Sequence, residues 1–184
     1  MAFTSFRFIV FLVLAAAAYF LTPKRCRWVT LFVANYVFYF ISGGKIFVYL
    51  LATTITTYLA TVKLGNMAAK NKEAFNAVKA ELDKEEKKAW KANFTKQKKK
   101  ILVPTVLFNF GILAVLKYSA FVTTNINALF GKFGIGGELP VFQFLLPLGI
   151  SFYTFQSMGY LIDVYREKQE PERNFFKLAL FISF

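Results

Sequence analysis

The chain has 184 residues, of which 57% are hydrophobic and 19% aromatic, and it carries a formal net charge of +13. Its apolar residues come in long uninterrupted blocks, a composition outside the range of soluble domains that predicts an integral membrane protein. The positive charge sits in short segments between those blocks, where membrane topology already expects it, and this argues against nucleic acid as the partner.

The first apolar block is Phe8 to Leu21, preceded by Arg7 and followed by Lys24, Arg25 and Arg27. Because the charges follow the apolar run, it reads as a transmembrane helix with its N-terminus outside and not as a signal peptide. The lone cysteine, Cys26, excludes an intrachain disulfide and reads as an incidental juxtamembrane thiol, with acylation as the sharper alternative. A second crossing runs from Trp28 to Ile41 and stops at Ser42, Gly43 and Gly44. Asn35 and Tyr39 share one of its faces and can bond across an interhelical seam. The third crossing, Ile46 to Val62, has Thr53, Thr57 and Thr61 at four-residue spacing, a pattern that lets neighbouring helices approach and exchange hydrogen bonds.

Residues 63–100 form the one long polar segment, with twelve lysines against Glu73, Glu81, Asp83, Glu85 and Glu86. The excess places it in the cytoplasm. Ala74, Val78, Leu82 and Ala89 fall on one helical face, with Phe75 and Trp90 at its margin. Asp83 with Lys87 and Glu85 with Lys88 are placed to pair. The segment therefore predicts an amphipathic helix lying on the inner leaflet and attracted to anionic lipid, with docking of an acidic carrier or partner protein as the sharper alternative.

A fourth crossing, Ile101 to Tyr118, has Pro104 in its first turn, where a missing N–H costs little, and Gly111 at an expected close helix contact. Phe121 to Phe133 predicts a short helix at the outer interface, and Gly134, Gly136 and Gly137 a turn back into the membrane. The fifth block, Leu145 to Arg166, is long enough to cross a core of about 30 Å. It nevertheless carries Ser151, Tyr153, Thr154, Gln156, Ser157 and Tyr160, polar groups that must face protein or water. On a helix, Ser151, Thr154 and Ser157 follow at three-residue steps, with Tyr153, Gln156 and Tyr160 as a second strip. These residues either line a passage for substrate or satisfy one another at a helix interface. Pro147 and Gly149 permit an irregular entry. Asp163 and Arg166, at the cytoplasmic end, make a surface ion pair or stand at the mouth of the passage. After Pro171 a sixth apolar block, Phe175 to Phe184, begins and is too short to span, so the chain is expected to be a truncated one. The fold class is thus all-α: a polytopic membrane protein with about five transmembrane helices and the start of a sixth. It divides into the first three helices (1–62), the basic segment (63–100) and the remaining helices (101–184).

LPLGISFYTFQSMGYLIDVYR (146–166), followed by EPERNFFKLALFISF (170–184), resembles the membrane-bound O-acyltransferases, in particular the bacterial branch concerned with alginate O-acetylation and D-alanyl transfer to teichoic acids. TPKRCRWVTLFVANYVFYF (22–40) and KYSAFVTTNIN (117–127) agree with it. The resemblance implies the first half of a multi-pass cell-membrane enzyme that moves an acyl group from a thioester donor, on a carrier protein or coenzyme A, to hydroxyls of an extracellular or cell-wall polymer. It also implies a catalytic histidine beyond the motif. This chain has no histidine to take that role, and the candidates that remain, Asp163 at a helix end and the tyrosines, are poor replacements for it as a general base. No catalytic residue, metal ligand or bound cofactor is therefore expected among these residues, and the chain alone is expected to be inactive. A non-catalytic membrane subunit or transporter-like passage is the rival reading.

Overall fold

Six helices follow from the apolar blocks, but two are far longer than the blocks themselves. The computed structural model describes residues 6–43, 47–79, 82–133, 140 and 149–184, and among the described residues every regular element is an α-helix. Helix α1 (Phe6–Leu21) and helix α2 (Arg27–Gly43) form an antiparallel pair, in which the rings of Phe8 and Phe11 meet Phe38 at 5.6 and 5.8 Å. The turn between them is held by Thr22, whose hydroxyl donates to the Ala18 carbonyl at 2.7 Å and lies 2.9 Å from that of Thr30. Arg27 folds back over the Tyr19 ring, 5.1 Å from its centre.

Helix α3 (Phe47–Val78) has 32 residues, about 48 Å at 1.5 Å per residue. Helix α4 (Lys84–Phe133) has 50, about 75 Å. Only these two are long and apolar enough, among the described residues, to cross a membrane by length and composition alone. The polar segment is therefore not one helix lying on a surface. Its first arm continues α3 to Val78 and its second begins α4 at Lys84, so Leu82 belongs to neither helix. The break has a local cause: the Asp83 N–H donates to the Glu86 carboxylate at 2.9 Å, a capping box that starts α4, and Glu85 and Glu86 lie at the positive end of the helix. The two arms are tied where the Trp90 indole N–H donates to Asn71 Oδ1 at 2.9 Å and its ring meets Phe75.

Two further expectations about α4 change. Pro104 lies inside the helix and not in its first turn, so one i→i−4 hydrogen bond is missing there. Residues 121–133 continue α4 without interruption and form no separate surface helix. A methyl placed on Gly111 would meet nothing within 4 Å, so no close contact explains this glycine; it borders an apolar groove with Tyr49, Leu107 and Phe108.

Helix α5 (Ile150–Tyr165) and helix α6 (Phe175–Ser183) complete the chain. Helix α5 has 16 residues, about 24 Å, shorter than the block that predicted it; residues 134–139 and 145–148, with the glycine turn and Pro147, lie outside the described residues. Gly149, at φ 74°, makes the left-handed entry that a side chain would disfavour. Asn174 caps α6, accepting from the N–H groups of Phe176 and Lys177 at 3.0 and 3.3 Å. The core joins α3, α4, α5 and α6 through Leu50, Leu64, Leu113, Tyr153, Met158, Leu161, Leu178 and Ile182.

Candidate functional site

Helix α5 turns its polar face inward. Phe152 and Phe155 are exposed, whereas Tyr153, Thr154, Ser157 and Tyr160 are buried and Ser151 and Gln156 half-buried. The opposing surface of α3 is a run of buried threonines: Thr53, Thr54, Thr57 and Thr61. Their short side chains allow the close approach expected, and two of their hydroxyls also bond within the helix. Thr54 donates to the Leu50 carbonyl and Thr61 to that of Thr57, each at 2.8 Å within α3. A bond that does cross from α3 joins Thr56 to Asn109 of α4, whose amide donates to the Thr56 hydroxyl at 3.1 Å and to the Thr105 carbonyl at 2.9 Å.

Several of the polar side chains on α5 are satisfied by neighbours. Ser157 donates to the Thr154 carbonyl and Gln156 to the Phe181 carbonyl, both at 2.8 Å. Tyr160 accepts from the Glu172 N–H at 2.7 Å, which fastens the α5–α6 loop onto the helix. Across the bundle, Asn35 of α2 donates to Ser183 of α6 at 2.8 Å, the interhelical bond expected of it. Of the five buried polar side-chain atoms without a partner among the described residues, three lie on α3 and α5: Tyr153 Oη, Gln156 Oε1 and Thr57 Oγ1. An unpaired buried polar group costs free energy unless water or a ligand reaches it, so these three mark where α3 and α5 can accept one.

The far end of α5 differs from expectation. Asp163 is half-buried and Arg166 exposed, and they do not pair, nor do Asp83 with Lys87 or Glu85 with Lys88; the one ion pair among the described residues is Lys98–Glu167. Exposed pairs of this kind gain too little to hold two solvated side chains in one geometry. Lys98 is different because it is only 8% exposed. Its ammonium donates to Glu167 at 2.6 Å and to the Tyr165 carbonyl at 2.9 Å, and lies over the rings of Phe94 and Tyr165 at 4.7 and 5.1 Å. It is lost to sequence reading within the uniform run KQKKK (96–100). Beside it, a crevice of about 390 Å³ opens between α3 and the α5–α6 loop, bordered by Gly65, Lys72, Glu167, Glu170 and Arg173. Arg173 and Lys72, not Arg166, are the cations that line it. Among the described residues no cluster of His, Cys, Asp or Glu could hold a metal ion.

Over all 184 residues the chain is 30% identical to a probable alginate O-acetylase of Azotobacter vinelandii and 29% identical to one of Pseudomonas putida, covering 32% and 33% of those proteins. It is also 29% identical over 107 residues to a peptidoglycan O-acetyltransferase of Helicobacter pylori, matching 45% of this chain and 19% of that protein. No family model matches the chain, and no solved structure matches it significantly. The resemblance carried by residues 146–166 thus extends along the whole chain to proteins named for O-acetyl transfer. The chain spans about a third of the length of the curated alginate relatives, less than the half that the resemblance implies.

Proposed function

We propose that this chain is part of a multi-pass membrane O-acyltransferase that esterifies hydroxyls of an extracellular or cell-wall polymer with an acetyl- or D-alanyl-type group. The observation that carries the reading is the end-to-end similarity to O-acetylases of alginate, joined by similarity to an O-acetyltransferase of peptidoglycan. The donor is a thioester, on a carrier protein or coenzyme A. In the reaction a polymer hydroxyl oxygen attacks the thioester carbonyl; the C–O bond forms, the C–S bond breaks, the hydroxyl proton passes to a base and the leaving sulfur takes a proton. With no histidine in these 184 residues, that base belongs to another part of the enzyme. The role left to this chain is to line and hold the passage, with Ser151, Tyr153, Thr154, Gln156, Ser157 and Tyr160 along it and the cations Lys72, Arg166 and Arg173 near its cytoplasmic end.

In this reading α1 to α5 each cross the membrane, the N-terminus lies outside and the 63–100 hairpin in the cytoplasm. Three contacts support the alternation. Lys177, near the start of α6, lies over Trp28 at the start of α2. Lys98 at the base of the hairpin reaches the end of α5. The Tyr39 hydroxyl, towards the end of α2, stands 3.7 Å from where a side chain on Gly149 would begin. Apolar surface is also left open along the helices, as at Leu14, Leu107 and Phe152, each more than 60% exposed, which water would not favour and lipid or further helices would cover.

The test is acyl transfer from a radiolabelled acetyl thioester to polymer, measured for the 184-residue chain alone and for the natural gene product that contains it. The proposal expects transfer from the second only. Transfer by the chain alone, lost on Asp163→Asn or Tyr153→Phe, would place the base here and overturn the division of roles; transfer by neither assigns a non-catalytic subunit.

A further inference from the structure

The helical hairpin formed by the end of α3 and the start of α4 carries a feature that neither acyl transfer nor membrane insertion requires. On one side, its two arms enclose an open groove of about 740 Å³ whose floor is Met67, Leu82, Trp90 and Phe94, with Lys70, Glu86 and Asn93 on its rim. All four floor residues are half-buried, so they leave apolar surface accessible within a segment holding twelve lysines and five acidic residues. A large aromatic kept in such a setting is the kind of group that anchors an interface. Its own arms hold the groove open: Trp90 is fixed by its hydrogen bond to Asn71 and its tilted contact with Phe75, and Lys98 locks the base of the hairpin to Tyr165 and Glu167.

Position decides between lipid and protein as occupant. Because the arms are direct continuations of α3 and α4, the groove runs along the axis of two spanning helices and does not lie flat against a surface. Met67 is twenty residues along α3 from Phe47, about 30 Å, which is the thickness of the hydrocarbon core. The groove therefore starts where the bilayer core ends and rises away from it along the two arms. Lipid chains cannot follow it there, whereas a protein helix in the aqueous phase can lie along it. Lys70 and Glu86 balance within the groove itself, so it is the excess of the surrounding hairpin, twelve lysines against five acidic residues, that selects the sign of that partner.

We propose that this groove docks an acidic amphipathic helix of a partner protein, with the apolar face of that helix against Met67, Trp90 and Phe94 and its carboxylates towards Lys70 and the neighbouring lysines. The inference stands apart from the acyl-transfer chemistry but rests on the reading in which α3 and α4 cross the membrane. The experiment uses the protein in nanodiscs of neutral phosphatidylcholine and a fluorescent peptide of about fifteen residues, ~22 Å as a helix, with leucines on one face and glutamates on the other. Anisotropy should show saturable binding that weakens as salt rises, and about tenfold or greater loss with the pair Lys70→Glu and Met67→Gln, neither of which touches the hairpin's internal bonds. A control peptide with lysines in place of the glutamates should not bind. No binding of the acidic peptide, or equal binding of both peptides, overturns the proposal. So does capture of anionic vesicles that the same pair abolishes while the acidic peptide stays unbound, which would assign the groove to lipid headgroups.

Discussion

Pro171 rests directly on the bare backbone of Gly65. A Cβ at Gly65 would come into collision with the proline ring, lying 2.9 Å from its Cδ and closer still to its Cγ. The loop between α5 and α6 is thereby pressed onto α3 at the level where the polar crevice opens. A proline ring cannot swing aside as a flexible side chain would. Gly65→Ala should therefore destabilise the protein by about 1–3 kcal/mol, the usual cost of overpacking. Pro171→Ala in the same molecule should recover most of the loss. Thermal unfolding in detergent reads both, and costs that merely add would show that the two residues do not meet.

Lys98 and Glu167 differ in burial, and their substitutions should differ accordingly. The Glu167 side chain is 54% exposed, so Glu167→Gln should cost no more than about 1 kcal/mol and less at high salt. Lys98→Ala removes a charged hydrogen bond to a backbone carbonyl and two ring contacts as well, and should cost about 1–3 kcal/mol. Glu167 also has φ 59°, so Glu167→Gly should be more stable than Glu167→Ala by about 1 kcal/mol. Equal melting temperatures for the glycine and alanine variants would contradict this.

Asn109, 1% exposed, is a polar link between α3 and α4 within their apolar stretches. Asn109→Ala should cost on the order of 1 kcal/mol, within the range measured for interhelical hydrogen bonds in membranes. A double-mutant cycle with Thr56→Ala checks the assignment: the coupling should be favourable, and a value of zero would show that Asn109 acts through its own helix alone.

The alternation of sides is open to a labelling test, because Cys26 is the sole cysteine and is exposed in the α1–α2 turn. A membrane-impermeant maleimide should reach Cys26 and a Lys88→Cys substitution from the same side, with Cys26→Ser as the background for the second. Labelling from opposite sides would refute the arrangement.

The inward face of α5 was legible because Tyr153, Thr154, Ser157 and Tyr160 could not face lipid, and Asn35 was legible as an interhelical donor for the same reason. The hairpin was not. The change from apolar to polar at Lys63 looks like a boundary, yet the backbone continues in one helix, because alanines, lysines and glutamates are as helix-favouring as the apolar run before them. Lys98 was hidden among identical neighbours, since only the tertiary fold decides which lysine of the run turns inward. Pro104 was misplaced for a related reason: its position in a helix depends on where the helix starts, and α4 starts at Lys84, seventeen residues before the apolar block at Ile101.

The central claim is that this chain serves the O-acylation of an envelope polymer, and the most direct measurement is the content of base-labile acyl esters on the extracellular and cell-wall polymers of cells with the gene intact and disrupted. The account predicts that the esters are lost on disruption and restored by the intact gene, but restored only in part by a copy carrying Gln156→Leu, which removes the bond to Phe181 and one of the unpaired buried oxygens on α5. Ester content unchanged by disruption would contradict it.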